Sequence, residues 1–207
     1  MTPDNVYSVL LVGPTDVHKS SLLFQCAVHF AEQGSKVLYI SSNAPTALPP
    51  PVHGVSPHSA AALSNIRFMY LPTWRDLAHQ LYSLHQHAHM PGVLIVDSLD
   101  HYCSLTEDQA RAALVCASLL DAASVCSRQS KKSTVLLTSL HTELKTCPLV
   151  DLFFASVVWL IEADADGSVT VSDAAVLPRH KPHTRMVFHA RSWDTALVLE
   201  KILQLVS

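Results

Sequence analysis

Apolar and polar positions along this chain fall into blocks whose period changes, and the blocks predict the elements. Residues 6–12, Val-Tyr-Ser-Val-Leu-Leu-Val, are an almost wholly apolar run, the mark of a strand buried on both faces. From Ser20 the apolar positions recur at Leu23, Cys26, Ala27, Phe30 and Ala31, a helical stripe. Gly34 stands just past the last turn, where a left-handed cap is expected. Residues 36–41 give a second strand, and Ile66, Phe68 and Tyr70 alternate as in a third. Thr73-Trp74-Arg75-Asp76 reads as a capped helix start, with Leu77, Leu81 and Leu84 behind it. Residues 93–97, Val-Leu-Ile-Val-Asp, predict a central strand. Thr106-Glu107-Asp108-Gln109 has the capping-box spacing and opens a helix with the stripe Ala110, Ala113, Leu114, Ala117 and Leu120. Lys131-Lys132 closes that region ahead of a strand over 134–139.

After residue 150 the pattern changes. Residues 156–163 and 168–172 flank Asp164-Ala165-Asp166-Gly167, a hairpin signal, and 185–191 is a further strand. Residues 195–206 fit either a strand or a closing helix. Alternating strands and helices followed by hairpins predict an α/β fold: a mostly parallel sheet flanked by helices, with antiparallel strands at the C-terminal end. The 207 residues suit one domain over 1–207, with a parallel βα core over 1–150 and an antiparallel extension over 151–207. Residues 44–59 hold five prolines and no clear period, which predicts a loop.

Hydrophobic residues make up 49% and charged residues 15%, which argues for a packed core and for some apolar surface that a partner covers. The net charge of −3 supplies no general field for nucleic acid, so such contact must come from a local basic patch. The five cysteines are odd in number and include no CxxC pair, so free thiols of a reducing compartment are expected. No signal peptide is visible and no apolar run is expected to reach the ~20 residues that span a bilayer. Cytosol or nucleus, with no membrane, is the expectation. His85, His87 and His89 have the spacing of ligands on a strand, but they fall at the polar end of a predicted helix, with no cysteine or carboxylate close in sequence. They read as solvated, and no metal site is expected.

The chemistry concentrates in Gly13-Pro14-Thr15-Asp16-Val17-His18-Lys19-Ser20, between the first strand and its helix. A P-loop reads Gly, four residues, Gly, Lys, then Ser or Thr in that context. Its backbone N–H groups converge on phosphate oxygens at the helix N-terminus. Gly13, Lys19 and Ser20 match, whereas His18 replaces the second glycine. A Cβ at a position that needs a left-handed backbone costs about 1–2 kcal/mol, and the imidazole would crowd the phosphates. Lys19 would reach the outer phosphates, Ser20 would hold Mg²⁺, and Asp97 would orient that ion. ATP and Mg²⁺ are therefore the cofactors the motif implies. Hydrolysis also needs a carboxylate to position water, expected at the end of the strand beside the P-loop strand. The pattern places Ser41-Ser42-Asn43 there, and Asn43 is a poor base. Glu143 is the next carboxylate considered, and reads as a solvated loop acid. No residue is assigned a catalytic role. Lys131, Lys132, Lys145, Arg179, Lys181 and Arg185 are the local basic positions, with His180 and His183 among them, and they are the candidate DNA contacts.

The motifs also occur in a telling order. The P-loop strand is followed by Leu-Tyr-Ile-Ser-Ser-Asn, Ile-Arg-Phe-Met-Tyr-Leu-Pro-Thr, Val-Leu-Ile-Val-Asp-Ser-Leu-Asp-His-Tyr and Thr-Val-Leu-Leu-Thr-Ser. This order resembles the RecA-fold recombinase paralogues and, more narrowly, the SWIM-associated, ATPase-like subunits of Shu-type complexes. The resemblance covers most of residues 6–140 and extends more weakly to about 191. It implies a RecA-like P-loop core, a SWIM-domain zinc-finger protein as heterodimer partner, single-stranded DNA, and a strand-exchange recombinase whose filament is assembled or stabilised. The setting it implies is homologous recombination and DNA repair in the nucleus. It carries Gly13, Lys19, Ser20 and Asp97 over as nucleotide contacts. It puts Asn43 where active recombinases place a catalytic glutamate, and Ser139 and Leu140 where they place polar sensors. The chain starts directly at the core strand, so a core without the N-terminal domain of full recombinases is expected. Phe24-Gln25-Cys26-Ala27 has the Phe-x-x-Ala spacing that recombinases recognise, but it lies on the helical stripe and reads as core.

Two readings remain open: a non-catalytic or weakly active RecA-like subunit, and an active DNA-stimulated P-loop ATPase. A small-molecule kinase would need an arginine-bearing lid, and residues 44–59 contain neither arginine nor lysine.

Overall fold

The apolar run at the start of the chain becomes an inner strand of the sheet, flanked on both sides. A computed structural model describes residues 5–14, 19–45, 60–103, 108–141, 153, 157–163, 168–173, 184–190 and 197–204. Its strands are β1 (Val6–Gly13), β2 (Val37–Ser41), β3 (Ile66–Tyr70), β4 (Val93–Val96), β5 (Thr134–His141), β6 (Val157–Ala163), β7 (Ser168–Asp173), β8 (Thr184–Ala190) and β9 (Leu197–Gln204). The helices are α1 (Lys19–Glu32), α2 (Ala60–Leu63), α3 (Trp74–Ser83) and α4 (Gln109–Ser130), with short 3-10 turns at Leu84–Gln86 and Leu99–His101. All the strands join one sheet in the order β3-β2-β4-β5-β1-β6-β7-β8-β9.

The pairings from β3 across to β6 are parallel. Those from β6 to β9 are antiparallel. The fold is thus the expected mostly parallel sheet with helices on its faces and antiparallel strands at its C-terminal end. β6 is the strand where the sense changes, running parallel to β1 and antiparallel to β7. The segment that fitted either strand or helix is the strand β9.

One expectation about neighbours is corrected. β2 does not lie beside β1: β5 and β6 flank β1, while β2 sits between β3 and β4. The pattern marks each strand as buried but carries no information on order, because β4 and β5 have similar apolar runs.

One face of the sheet packs against α3 and α4, through Leu10, Val12, Leu94, Leu136, Leu77 and Leu119 among others. The other packs against α1 and α2, through Val9, Leu11, Ile95, Leu23, Phe24 and Ala62. Each of the valine, leucine, isoleucine and phenylalanine side chains contributes roughly 1.5–3 kcal/mol by leaving water. α3 starts as expected: the Thr73 hydroxyl accepts from the Asp76 N–H, and the Asp76 carboxylate accepts from the Thr73 N–H. Leu77, Leu81 and Leu84 are buried behind that cap. Gly34 has φ +81, the left-handed cap that ends α1.

α4 departs from its expectation in three ways. Its cap is Asp108, whose carboxylate accepts from the Arg111 N–H; Thr106 and Glu107 lie outside the described residues. Its buried face is Ala112, Val115, Cys116, Leu119, Leu120, Ala123 and Cys126; of the expected stripe Leu120 is buried and Ala113 half-buried, whereas Ala110 and Ala117 are exposed and Leu114 is 53% exposed. The helix is apolar on both sides, so periodicity alone selects a stripe of which only the Leu120 end meets the core. Finally, its 22 residues are long and apolar enough to cross a membrane by length and composition, contrary to the expected absence of such a run. Ten of them are buried, most in the core against the sheet.

Candidate functional site

The site is built where β1, β4 and β2 end. α1 begins at Lys19, six residues after the last residue of β1, Gly13. Thr15, Asp16, Val17 and His18 lie outside the described residues, so the expected defect at His18 does too. Gly13 is held between β5 and β6, and a Cβ there would overlap the carbonyl oxygen of Ile161 on β6. The sheet itself therefore demands glycine at this position, whatever the loop beyond it holds.

Lys19 is 2% exposed, and an ammonium so buried needs partners. Its Nζ donates to the carbonyl of Gly13 at 2.9 Å and to that of Pro14. The cation is turned back onto the end of β1, so phosphate oxygens would compete with these carbonyls for it.

Asp97 follows β4 and is largely buried. Its backbone N–H donates to Ile40 of β2 at 2.9 Å. The Tyr39 hydroxyl donates to one carboxylate oxygen at 3.0 Å, and the Ser139 hydroxyl donates to the other at 3.0 Å. Ser139 Oγ also accepts from the Ser98 N–H at 2.9 Å. Ser98 has φ 59, a left-handed backbone that costs a side-chain-bearing residue on the order of 1 kcal/mol or more. Burial, reinforced by the Asp97 charge, pushes the Tyr39 phenol far above its ordinary value, so it remains a donor at any physiological pH.

Ser20 and Asp97 line one cavity of about 230 Å³, together with Ser41 and Asn43. Its other wall is aromatic: Phe24 stacks on Phe68 with centroids 6.3 Å apart, and Tyr39 tilts against Phe68 at 5.6 Å. Asn43 reaches the cavity from the end of β2, although two strands separate β2 from β1. Among the lining residues Asp97 is the single carboxylate. A hydroxyl and a carboxylate facing one space, with an ammonium at the head of the same helix, form the right donor set for Mg²⁺ and phosphate. The volume is below the roughly 300 Å³ at which small-molecule pockets usually begin.

Of the expected nucleotide contacts, the fold brings Ser20 and Asp97 to one cavity and sets Lys19 and Gly13 beside it. Ser139 is a direct partner of Asp97, whereas Leu140 is core. Phe24 and Ala27 are buried, so that spacing is packing rather than an exposed motif. Tyr39 was not anticipated. Its signal was a tyrosine inside a buried strand, whose hydroxyl must find a partner.

Of the expected DNA contacts, the structure describes Lys131, Lys132 and the backbone of Arg185. Lys131 and Lys132 stand after α4 and just before β5, at the end of the sheet opposite Lys19 and Asp97. Arg185, on β8, pairs through its backbone with Ser172 of β7 and Leu203 of β9. Lys145, Arg179, Lys181, His180, His183 and Glu143 lie outside the described residues. Among the described residues no group of three or more His, Cys, Asp or Glu side chains is placed to hold a metal. Cys26 and Cys126 are free thiols, Cys103 and Cys116 are buried, and Cys147 lies outside the described residues.

No protein-family model matches the chain. It is 28% identical to human ATPase SWSAP1 over 169 residues, which cover 77% of this chain and 73% of the relative. Its fold is similar to that of the RadB recombinase, with a TM-score of 0.60 and 14% identity over 94% of this chain and 91% of that one. It is also similar to a DnaB-like replicative helicase, with a TM-score of 0.58 and 10% identity, covering 93% of this chain and 57% of the helicase chain. The chain thus has a RecA/RadB-like fold, with a sequence similar to that of ATPase SWSAP1.

Proposed function

We propose that this chain is a RecA-like subunit, non-catalytic or weakly active, that supports homologous recombination. It pairs with a SWIM-domain zinc-finger protein, binds single-stranded DNA and promotes assembly or stability of a strand-exchange recombinase filament in the nucleus. We read residues 1–207 as one such domain. The observation that carries the reading is the state of the nucleotide apparatus. Ser20 and Asp97 line one cavity, yet the Lys19 ammonium is bonded to the Gly13 and Pro14 carbonyls. Both Asp97 oxygens accept from Tyr39 and Ser139. The end of β2 offers the amide of Asn43, which cannot take a proton from water. Mg-ATP, when bound, would bring phosphates for Lys19 and an ion for Ser20 and Asp97. The similarity to ATPase SWSAP1 supports the RecA-like reading, and that relative's description as an ATPase favours the second reading, a DNA-stimulated ATPase.

Calorimetric titration with Mg-ATP, alone and with the zinc-finger partner, tests the choice alongside turnover assays. The subunit reading expects turnover near background in wild type, Lys19→Ala and Asp97→Asn alike. Turnover in wild type that disappears in both variants establishes the ATPase instead. A chain that stays indifferent to DNA, both alone and with the partner, refutes the subunit reading.

A further inference from the structure

The N-terminal ends of the parallel strands form a surface that the nucleotide apparatus does not use. β3, β2, β4 and β5 start side by side there, in that order. Two adjoining hollows, of about 490 Å³ and 470 Å³, open across these starts and share Lys36. Arg67, His87 and His89 line the first, and Lys132 lines the second. No carboxylate lines either hollow. Among the described residues Arg111 pairs with Asp108 and His141 with Asp100, and no described carboxylate pairs with Lys36, Arg67 or Lys132. All three of these cations are exposed. On a chain of net charge −3, a surface lined by cations without acids is a local field of the kind a polyanion recognises.

The spacing is rigid. The Gly92 and Val93 N–H groups both donate to the Lys36 carbonyl, at 2.9 and 3.2 Å. Val37 N–H donates to Asn65 at 3.0 Å, and Val135 N–H to Gly92 at 3.0 Å. Adjacent strands lie about 4.8 Å apart, so the three steps from β3 to β5 separate Arg67 from Lys132 by roughly 14 Å or more, with Lys36 between them across the sheet. A lone phosphate is held by donors that converge. Cations strung along an open groove instead follow a sugar–phosphate backbone. Half-buried Phe30 lines the second hollow and supplies an aromatic surface beside that line. Burial, and then the charge of Arg67, hold His87 below the ordinary imidazole value, which makes it a neutral hydrogen-bonding group near pH 7.

We propose that this groove binds the backbone of single-stranded nucleic acid, with Lys36, Arg67 and Lys132 neutralising successive phosphates. The inference rests on the DNA-binding part of the reading above and gives it a seat at the end of the sheet away from Lys19 and Asp97. Fluorescence anisotropy of the 207-residue chain with a labelled oligothymidylate, across a salt series, is the test. Replacing Lys36, Arg67 and Lys132 together with glutamine is expected to weaken binding at least about tenfold at low salt. It should also flatten the log–log salt slope by about 2, at roughly 0.7 per lost contact. Each single glutamine variant should flatten it by about 0.7, which keeps the test valid if the triple variant melts early. Arg75→Gln removes the same charge at the opposite end of the sheet and should leave both affinity and slope unchanged.

Wild-type binding that survives the three substitutions, or falls equally with Arg75→Gln, overturns the groove while leaving DNA binding in place. Competition by polyglutamate as effective as by oligothymidylate assigns the groove to an acidic protein instead. A wild type that binds no oligothymidylate at any salt removes the DNA-binding reading itself, and the groove with it.

Discussion

Gly13 shows how one residue can satisfy a motif for a reason unrelated to it. The sequence presents it as the first glycine of a phosphate loop, and the fold places it against the Ile161 carbonyl of β6, where no side chain fits. Gly13→Ala is therefore expected to lower folding stability by about 1–3 kcal/mol in urea denaturation without nucleotide present, as overpacking does. Asp97 is the converse case. Its place at the end of an apolar strand is legible, but its partners Tyr39 and Ser139 stand 58 and 42 residues away in the chain. Tyr39→Phe removes a hydrogen bond to a buried carboxylate and should cost about 1–3 kcal/mol, read from the same denaturation curves. The charge-dense groove was legible only in part, for a related reason. Lys132 stood among the expected DNA contacts, whereas Lys36 and Arg67 lie far from it in sequence and each alone looks like a solvated charge.

At the scale of elements, helices with one apolar stripe were read correctly and the helix with two was not. α3 has a cap and a single leucine row, and both stand where the pattern put them. α4 is apolar nearly all round, because alanine, serine and cysteine fill the gaps between larger side chains. Which side meets the sheet is settled by the residues across from it. Leu119→Ala, at a fully buried position, should cost about 2–5 kcal/mol. Leu114→Ala, at a 53% exposed one, should stay within about 0.5 kcal/mol. Equal losses would mean that α4 is rotated or that Leu114 is covered in solution. The ambiguous tail became β9 because β8 offered an open edge for it to pair with.

The whole molecule is two helical layers on one sheet, held by apolar burial with few ion pairs among the described residues. Cys126 of α4 is wholly buried in the layer that holds α3, and burial pushes its thiol up to about 11. A raised thiol pKa keeps the group protonated at every pH below that value, so only about a thousandth is thiolate near pH 8. Labelling of Cys126 by iodoacetamide at that pH should accordingly be slow in the native protein and rise with the unfolding transition. Fast native labelling would show that this layer opens on its own.

The order of apolar runs, the caps and the P-loop remnant were enough to specify an α/β chain with its candidate nucleotide residues at strand ends. These are local signals: period, turn chemistry and spacing act over a few residues. Strand order, the buried side of α4, the clasp of Tyr39 and Ser139 on Asp97 and the cationic groove arise only once distant segments pack. Each depends on which strand lies next to which, and a run of similar buried strands leaves that choice to the free energy of the assembled core.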